Sequence, residues 1–308
     1  MKAQVLAPIT IADAMFTACS VAEPDTALAV PEVLWNPATN YTTLGAEVIR
    51  TTTHRVYTCL ATGIDAGLPE DTPLRWKDTR PTNKWAAFDL YKSTAIKKVG
   101  TLTLTVKPGI ITGLQAFGLV GDSIRIVFKN ATSGVAYYDQ TSSLSLYLSG
   151  DLEWEFWFGV PRQQDNIRVT GLYPDDAQVE ITITPSTITG TAEIGILALG
   201  NFNDLGLPEK GFKASPVDYS RIVLDSVTGE VSIRRGLAAK NLAGECVMTT
   251  AAEAQAVLDV IYLLLGVPVA VVITDAAGYD FLSAFGLLTG DVTVGDLCHL
   301  SLSVRGMI

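Results

Sequence analysis

A chain of 308 residues has room for two or three domains. Only 18% of it is charged, below the roughly 25% usual in globular chains, and its mean hydropathy is +0.30, so part of its surface is expected to lie against partner subunits. The formal net charge is −10, and the basic footprint that nucleic-acid binding needs is not seen.

Residues 1–34 mix β-branched residues with Pro8, Pro24 and Pro31. Val5, Ile9 and Ile11 suit one short strand, and the remainder reads as an extended arm docked on a neighbouring domain or subunit. Lys2 is the only basic residue at this end, and Pro8 and Asp13 interrupt the apolar stretch, so no export signal is expected.

Residues 35–90 form a small aromatic block. Glu47–Arg50 and His54–Leu60 alternate as strands, Gly63, Gly67, Pro69 and Pro73 mark a loop, and Pro81-Thr82-Asn83 marks a turn. Tyr41, Tyr57, Trp76, Trp85 and Phe88 supply most of its apolar bulk. A minimal domain can use such rings as its core, and exposed rings can instead stack on sugar.

From residue 91 to 200 the alternation is that of strands: Thr101–Val106, Ser123–Phe128 with Val135–Asp139 as its hairpin partner, Leu152–Val160, Asn166–Thr170, Gln178–Thr184 and Thr191–Leu199. Seven or eight short strands separated by turn signals predict an antiparallel β-sandwich. Gly200–Ser215 reads as a loop and a domain boundary.

Residues 201–308 read as an α+β domain. Ser220–Asp225 and Val231–Arg235 flank the Thr228-Gly229 turn, and Ala243–Met248 is a further strand. Thr250 with Glu253 is a capping box, and Ala254, Val257, Leu258, Ile261, Leu264 and Leu265 recur at helical spacing until Gly266 and Pro268. Val269–Thr274 is a buried strand and Cys298–Gly306 alternates to the end. Val257–Thr274 is the longest apolar run, but Asp259, Gly266 and Pro268 break it, so no membrane span is expected.

Motifs for chemistry are absent: no GxSxG, P-loop, GxGxxG or HExxH occurs. Asp225 with Glu230, and Asp175 with Asp176, sit at turns, where carboxylates bond the backbone or water. Glu153 and Glu155 share a strand face, flanked by Trp154 and Trp157, about 7 Å apart by strand geometry, and read as the polar side of an amphipathic strand rather than a glycosidase pair. His54 and His299 have no ligand companion within a few residues. Cys19, Cys59, Cys246 and Cys298 lack CxxC spacing and read as buried free thiols, with one disulfide open in an oxidising compartment. No catalytic residue, metal or cofactor is expected.

Two resemblances add to this. The spacing Tyr41…Gly45-x-x-Val48…Tyr57-x-Cys59…Pro69…Trp76 resembles the small chitin- and cellulose-binding modules of bacterial chitinases. The run Pro81-Thr82-Asn83-Lys84-Trp85-Ala86-Ala87-Phe88-Asp89 resembles the PTNxWAxFD segment of tail proteins of double-stranded DNA bacteriophages, where it follows an aromatic module and leads into a sandwich. The ending, Tyr219-Ser220-Arg221…Asp225…Gly229…Arg234-Arg235, a helix, a buried strand and Ser-Leu-Ser-Val-Arg-Gly, is similar to the closing domain of those chains.

The resemblance implies a structural, non-catalytic virion protein of a tail tip or baseplate, assembled in the host cytoplasm. Its implied partners are other tail proteins, copies of itself and bacterial surface glycan. A secreted polysaccharide-binding protein is the alternative. The expected fold is mainly β: an arm (1–34), a carbohydrate-binding-like module (35–90), a sandwich (91–200) and an α+β domain with one helix (201–308). Tyr41, Tyr57 and Trp76 are the expected glycan-stacking rings, and Trp85 and Phe88 the expected packing hinge between module and sandwich.

Overall fold

The computed structural model describes residues 2–64, 67–89, 91, 93–146, 162–224, 231–234, 238–274, 276 and 279–307. Leu152–Val160 with its Glu153–Glu155 pair, and the Asp225, Thr228-Gly229 and Glu230 turn, lie outside them. The chain is mainly β, with several sheets and one α-helix among the described residues.

Strict alternation builds the first layer. Leu102, Leu104 and Val106 are buried while Thr103 and Thr105 face outward, and Ala177–Thr184 repeats the pattern with Ala177, Val179, Ile181 and Ile183. These strands belong to an antiparallel five-stranded sheet in the order Ala136–Ser143, Ser123–Asn130, Ala177–Thr184, Leu102–Val106, Phe16–Cys19. Its inner face packs on Ile111, Leu114, Ala116, Leu197 and Leu199 of a second sheet, closing a sandwich core. Within it Phe128 stacks on Tyr173 with centroids 3.7 Å apart.

The second sheet has nine strands, in the order Asn166–Tyr173, Ile111–Phe117, Ile196–Pro208, Ala3–Pro8, Pro268–Val272, Ser283–Val294, Cys298–Gly306, Ala238–Met248, Lys213–Asp218. It does not stop where the sandwich stops. Strand Ile196–Pro208 contributes Leu197 and Leu199 to the sandwich core and Leu205 to a separate core under the helix. The expected loop at Gly200–Ser215 is therefore corrected: a strand runs through Gly200, and Lys213–Asp218 is itself a strand. Gly200 permits this because a Cβ there would lie 2.0 Å from the Ala7 carbonyl oxygen of the neighbouring strand.

The N-terminal segment differs in the same way from the expected docked arm. Ala3–Pro8 lies inside the nine-stranded sheet, antiparallel to Ile196–Pro208 on one side and Pro268–Val272 on the other. Phe16–Cys19 forms the edge of the five-stranded sheet. These are sheet members, because Ala3 and Val5 can bury toward the helix while Leu6 buries on the opposite face with Phe117, Ala270 and Phe285.

The helix Ala251–Leu263 sits where the capping box predicts. The Thr250 hydroxyl accepts from the Glu253 backbone N–H at 3.2 Å, and the Glu253 carboxylate accepts from the Thr249 N–H at 3.0 Å. Lys2 reaches the same carboxylate at 3.1 Å, tying the helix start to the first strand. Gly266, at φ +77°, ends the helical run ahead of Pro268. Ala254, Val257 and Ile261 face Val269, Val271, Leu300 and Leu302.

The aromatic block is a three-stranded sheet, Glu47–Arg50, Arg55–Cys59 and Trp76–Pro81, followed by a 3-10 helix over Asn83–Phe88. It has its own small core. No helix among the described residues is long and apolar enough to cross a membrane.

Candidate functional site

The three rings expected to stack on sugar do not present their faces to solvent. Tyr41, Tyr57 and Trp76 are 8%, 4% and 1% exposed, and with Val48 and Cys59 they are the module's core. Tyr41 meets Trp76 edge to face at a centroid distance of 4.9 Å. The Tyr41 hydroxyl accepts from the Asn36 N–H at 2.9 Å, and the Tyr57 hydroxyl lies 3.1 Å from Thr53 Oγ1. The physical reason is supply: a block with so few aliphatic side chains has to bury its aromatics to have a core at all. A glycan-stacking role for these three residues is thereby corrected.

Trp85 and Phe88 sit at the junction of module and sandwich, within the sandwich core cluster. Phe16 meets both rings edge to face, each at 5.2 Å. His54 stacks on Trp85 at 4.2 Å.

Around these rings lies a polar latch. His54 occupies a left-handed conformation (φ +54°) in the turn between the first two module strands. Its Nδ1 lies 3.0 Å from both carboxylate oxygens of Glu23, and its Nε2 lies 2.8 Å from Asp13 Oδ1. Both nitrogens can donate together only as the imidazolium. Glu23 also accepts from the Thr82 hydroxyl at 2.7 Å.

Deeper in, Glu32 Oε1 accepts from the Asn83 N–H at 2.8 Å and Oε2 from the Asp25 N–H at 2.7 Å. Asp25 accepts from Asn83 Nδ2 at 2.6 Å and from the Ala27 N–H at 2.9 Å. Asn83 completes the set with Lys97, donating to its carbonyl and accepting from its N–H. Asp25, Glu32 and Asn83 are buried. These carboxylates are occupied by backbone and amide donors, which makes them fasteners rather than acid–base groups. Sequence reading missed them because acids in a Pro-rich stretch look solvated; the available signal was that the arm's acids outnumber its cations.

Asp89 closes the 3-10 helix, accepting from Thr94 Oγ1 at 2.6 Å and the Tyr91 N–H at 3.0 Å. Burial pushes its carboxyl above the usual carboxylate range, against these two bonds. A raised folded-state value favours the protonated acid in the fold, so the cost is absent below the unfolded value and grows as pH rises through the folded one. Asp89→Asn keeps an acceptor for Tyr91 and offers a donor to the Thr94 hydroxyl. It is expected to raise the melting temperature at pH 7 by about 1–2 °C after solvent screening, with the gain vanishing near pH 3. Thermal melts from pH 3 to 8 check this, and a lower melting temperature at pH 7 contradicts it.

Metal ligands were not expected, yet the fold assembles one candidate set. Glu209, Glu245 and His299 bring ligand atoms within 4.8 Å of one another. They come from three adjacent strand segments: Glu209 follows Pro208 and its N–H bonds the Glu245 carbonyl, and Val247, two residues beyond Glu245, pairs with His299. Local spacing could not show this, because the ligands are 36 or more positions apart in sequence. His299 Nδ1 lies 3.6 Å from Glu209, so the ring also serves as the pair's cation when protonated. The buried Cys246 thiol beside it is pushed up to about 12 by desolvation and by Glu209. None of the four cysteines is in a disulfide.

The turn acids read as solvated carboxylates do bond locally: Asp176 accepts from the Asn130 side-chain amide. Residues 210–240 carry six Lys and Arg against three acids, whereas residues 241–304 carry seven acids and no Lys or Arg. Large apolar side chains stand open in both stretches, among them Ile222, Ile233, Tyr262 and Leu263. No protein-family model, curated protein or solved structure matches the chain.

Proposed function

We propose that this chain is a structural protein of a tailed-phage virion, in the tail tip or baseplate, that works by assembly and not by catalysis. The observation that carries the assembly reading is the uncovered apolar surface at the helix C-terminus, where Tyr262, Leu263, Leu265 and Val267 are 65%, 77%, 53% and 38% exposed. Exposed apolar side chains grouped in this way mark sites of protein–protein contact. The phage assignment rests on the Pro81–Asp89 segment and its resemblance to tail proteins.

The latch supports the same reading. A rigid joint between module and sandwich suits a building block, and its carboxylates are consumed in fastening. The polysaccharide-binding alternative loses its residues with the burial of Tyr41, Tyr57 and Trp76. The test is direct: particles purified from a host producing this chain are probed with an antibody to it. Labelling at one end of the tail is expected, and absence from the particle overturns the proposal.

A further inference from the structure

Six strands of the nine-stranded sheet close into a ring. From Ile196–Pro208 the order runs through Ala3–Pro8, Pro268–Val272, Ser283–Val294, Cys298–Gly306 and Ala238–Met248, and the last of these pairs back with the first. The closing seam is short. Leu207 lies opposite Val247 and Pro208 opposite Cys246, and the Glu209 N–H then bonds the Glu245 carbonyl oxygen at 2.8 Å. Pro208 has no N–H to give the seam. The neighbouring pair, Ala238–Met248 with Cys298–Gly306, is matched over seven residues.

Glu209, Glu245 and His299 stand together at this seam. Glu245 precedes buried Cys246, and His299 lies between buried Cys298 and Leu300, so strand alternation turns both side chains to the outer face. His299 is opposite Val247, which makes Glu245 its diagonal neighbour, within reach of a long side chain. The three donor atoms lie within 4.8 Å of one another, and His299 Nδ1 is 3.6 Å from Glu209 Oε1. A tetrahedral ion with bonds of about 2.0–2.2 Å holds its donors about 3.3–3.6 Å apart. One edge of such a site is therefore already formed, and small rotations of two exposed glutamates complete the others.

The charges ask for a cation. Glu209 and Glu245 face each other across the seam, where like charges repel. Among the described residues neither makes an ion pair with Lys or Arg, and Lys210, next in the chain, is no exception. The Cys246 thiol on the inner face feels the same field, since Glu209 adds to the effect of its burial.

We propose that Glu209, Glu245 and His299 bind one divalent first-row transition ion, and that the ion clips the seam of the ring. One imidazole nitrogen with two carboxylate oxygens selects such ions over Mg²⁺ and Ca²⁺. Zn²⁺ has no geometric preference of its own and suits a donor set laid out by a sheet. The three donors come from three different strand segments, so a bound ion adds a cross-link where the backbone ladder is shortest. The inference is independent of the virion reading.

The full chain is stripped with EDTA and titrated with Zn²⁺ by calorimetry and equilibrium dialysis. One ion per chain is expected, undisturbed by a large excess of Mg²⁺ or Ca²⁺. The ring resonances of His299 shift on binding and those of His54 do not. His299→Ala, Glu209→Gln and Glu245→Gln are each expected to weaken binding about tenfold or more. Circular dichroism confirms that they fold, and the two Gln variants, freed of the repulsion, melt no lower than the metal-free wild type. Zn²⁺ at about a hundredfold excess over its dissociation constant raises the wild-type melting temperature by about 5 °C. It also slows hydrogen exchange across residues 200–210 and 243–249, and Glu245→Gln shows neither effect at the same Zn²⁺ concentration. No uptake, uptake that survives His299→Ala or the two Gln changes together, or a thiolate-to-cobalt charge-transfer band with Co²⁺ overturns the site. Uptake at His299 that leaves exchange at the seam unchanged overturns the clip.

Discussion

Trp76→Ala is expected to destabilise the aromatic module by about 3–5 kcal/mol, the range for deleting a large buried ring. Trp76 is 1% exposed, packs edge to face on Tyr41, and pairs across the sheet with Cys59. Little aliphatic material surrounds it, so the cavity cannot collapse and the loss stays near the top of the range. Trp76→Phe keeps most of the contact and is expected to cost less than half as much. Chemical denaturation followed by circular dichroism measures the loss. Were the ring an exposed sugar platform, the alanine variant would lose ligand and keep its stability; a change under about 0.5 kcal/mol would place Trp76 outside the core.

Glu32→Ala is expected to cost about 3 kcal/mol and to release the segment between Phe16–Cys19 and the module. Its carboxylate is the acceptor for two buried backbone donors, Asp25 N–H and Asn83 N–H, and each orphaned donor costs about 1–3 kcal/mol. Glu32→Gln keeps one acceptor oxygen and is expected to lose about half as much. The shift in denaturation midpoint measures the energy, and limited proteolysis locates it: cleavage within residues 20–34 should rise in the alanine variant. Equal cleavage rates in the two chains would mean that the latch is held elsewhere.

The strands that the sequence made legible have one wet face and one dry face. Leu102–Val106, Ala177–Thr184 and Cys298–Gly306 alternate because each lies in a sheet solvated on one side. Ser283–Val294 escaped because Ser283, Ala284, Phe285 and Gly286 are all buried, which erases the period. Ile196–Pro208 was cut at Gly200 because Gly200, Asn201, Asn203, Asp204 and Gly206 carry turn chemistry, although there they span the gap between two cores. The helix was readable to its cap, since Thr250 and Glu253 act locally.

The site followed the same division. Trp85 and Phe88 could be singled out from a local motif. The acids that surround their joint could not, because Asp13, Glu23, Asp25 and Glu32 meet His54, Thr82 and Asn83 only through the fold. The roles of Tyr41, Tyr57 and Trp76 turn on burial, and ring spacing is the same for a core and for a platform.

The position of strand Ala3–Pro8 has a kinetic consequence. Its partners are Ile196–Pro208 and Pro268–Val272, so residues as distant as Gln4 and Val272 sit side by side in mid-sheet. Loop-closure entropy has to be met before such pairings return any energy, and folding slows as the mean sequence separation of contacts grows. Until the last hundred residues are in place, Ala3–Pro8 is the edge of a half-built sheet, its backbone bare on the side where Pro268–Val272 will pair. The nascent chain is most prone to wrong pairing in that interval, and the sheet locks as a unit only when its first and last strands are present together.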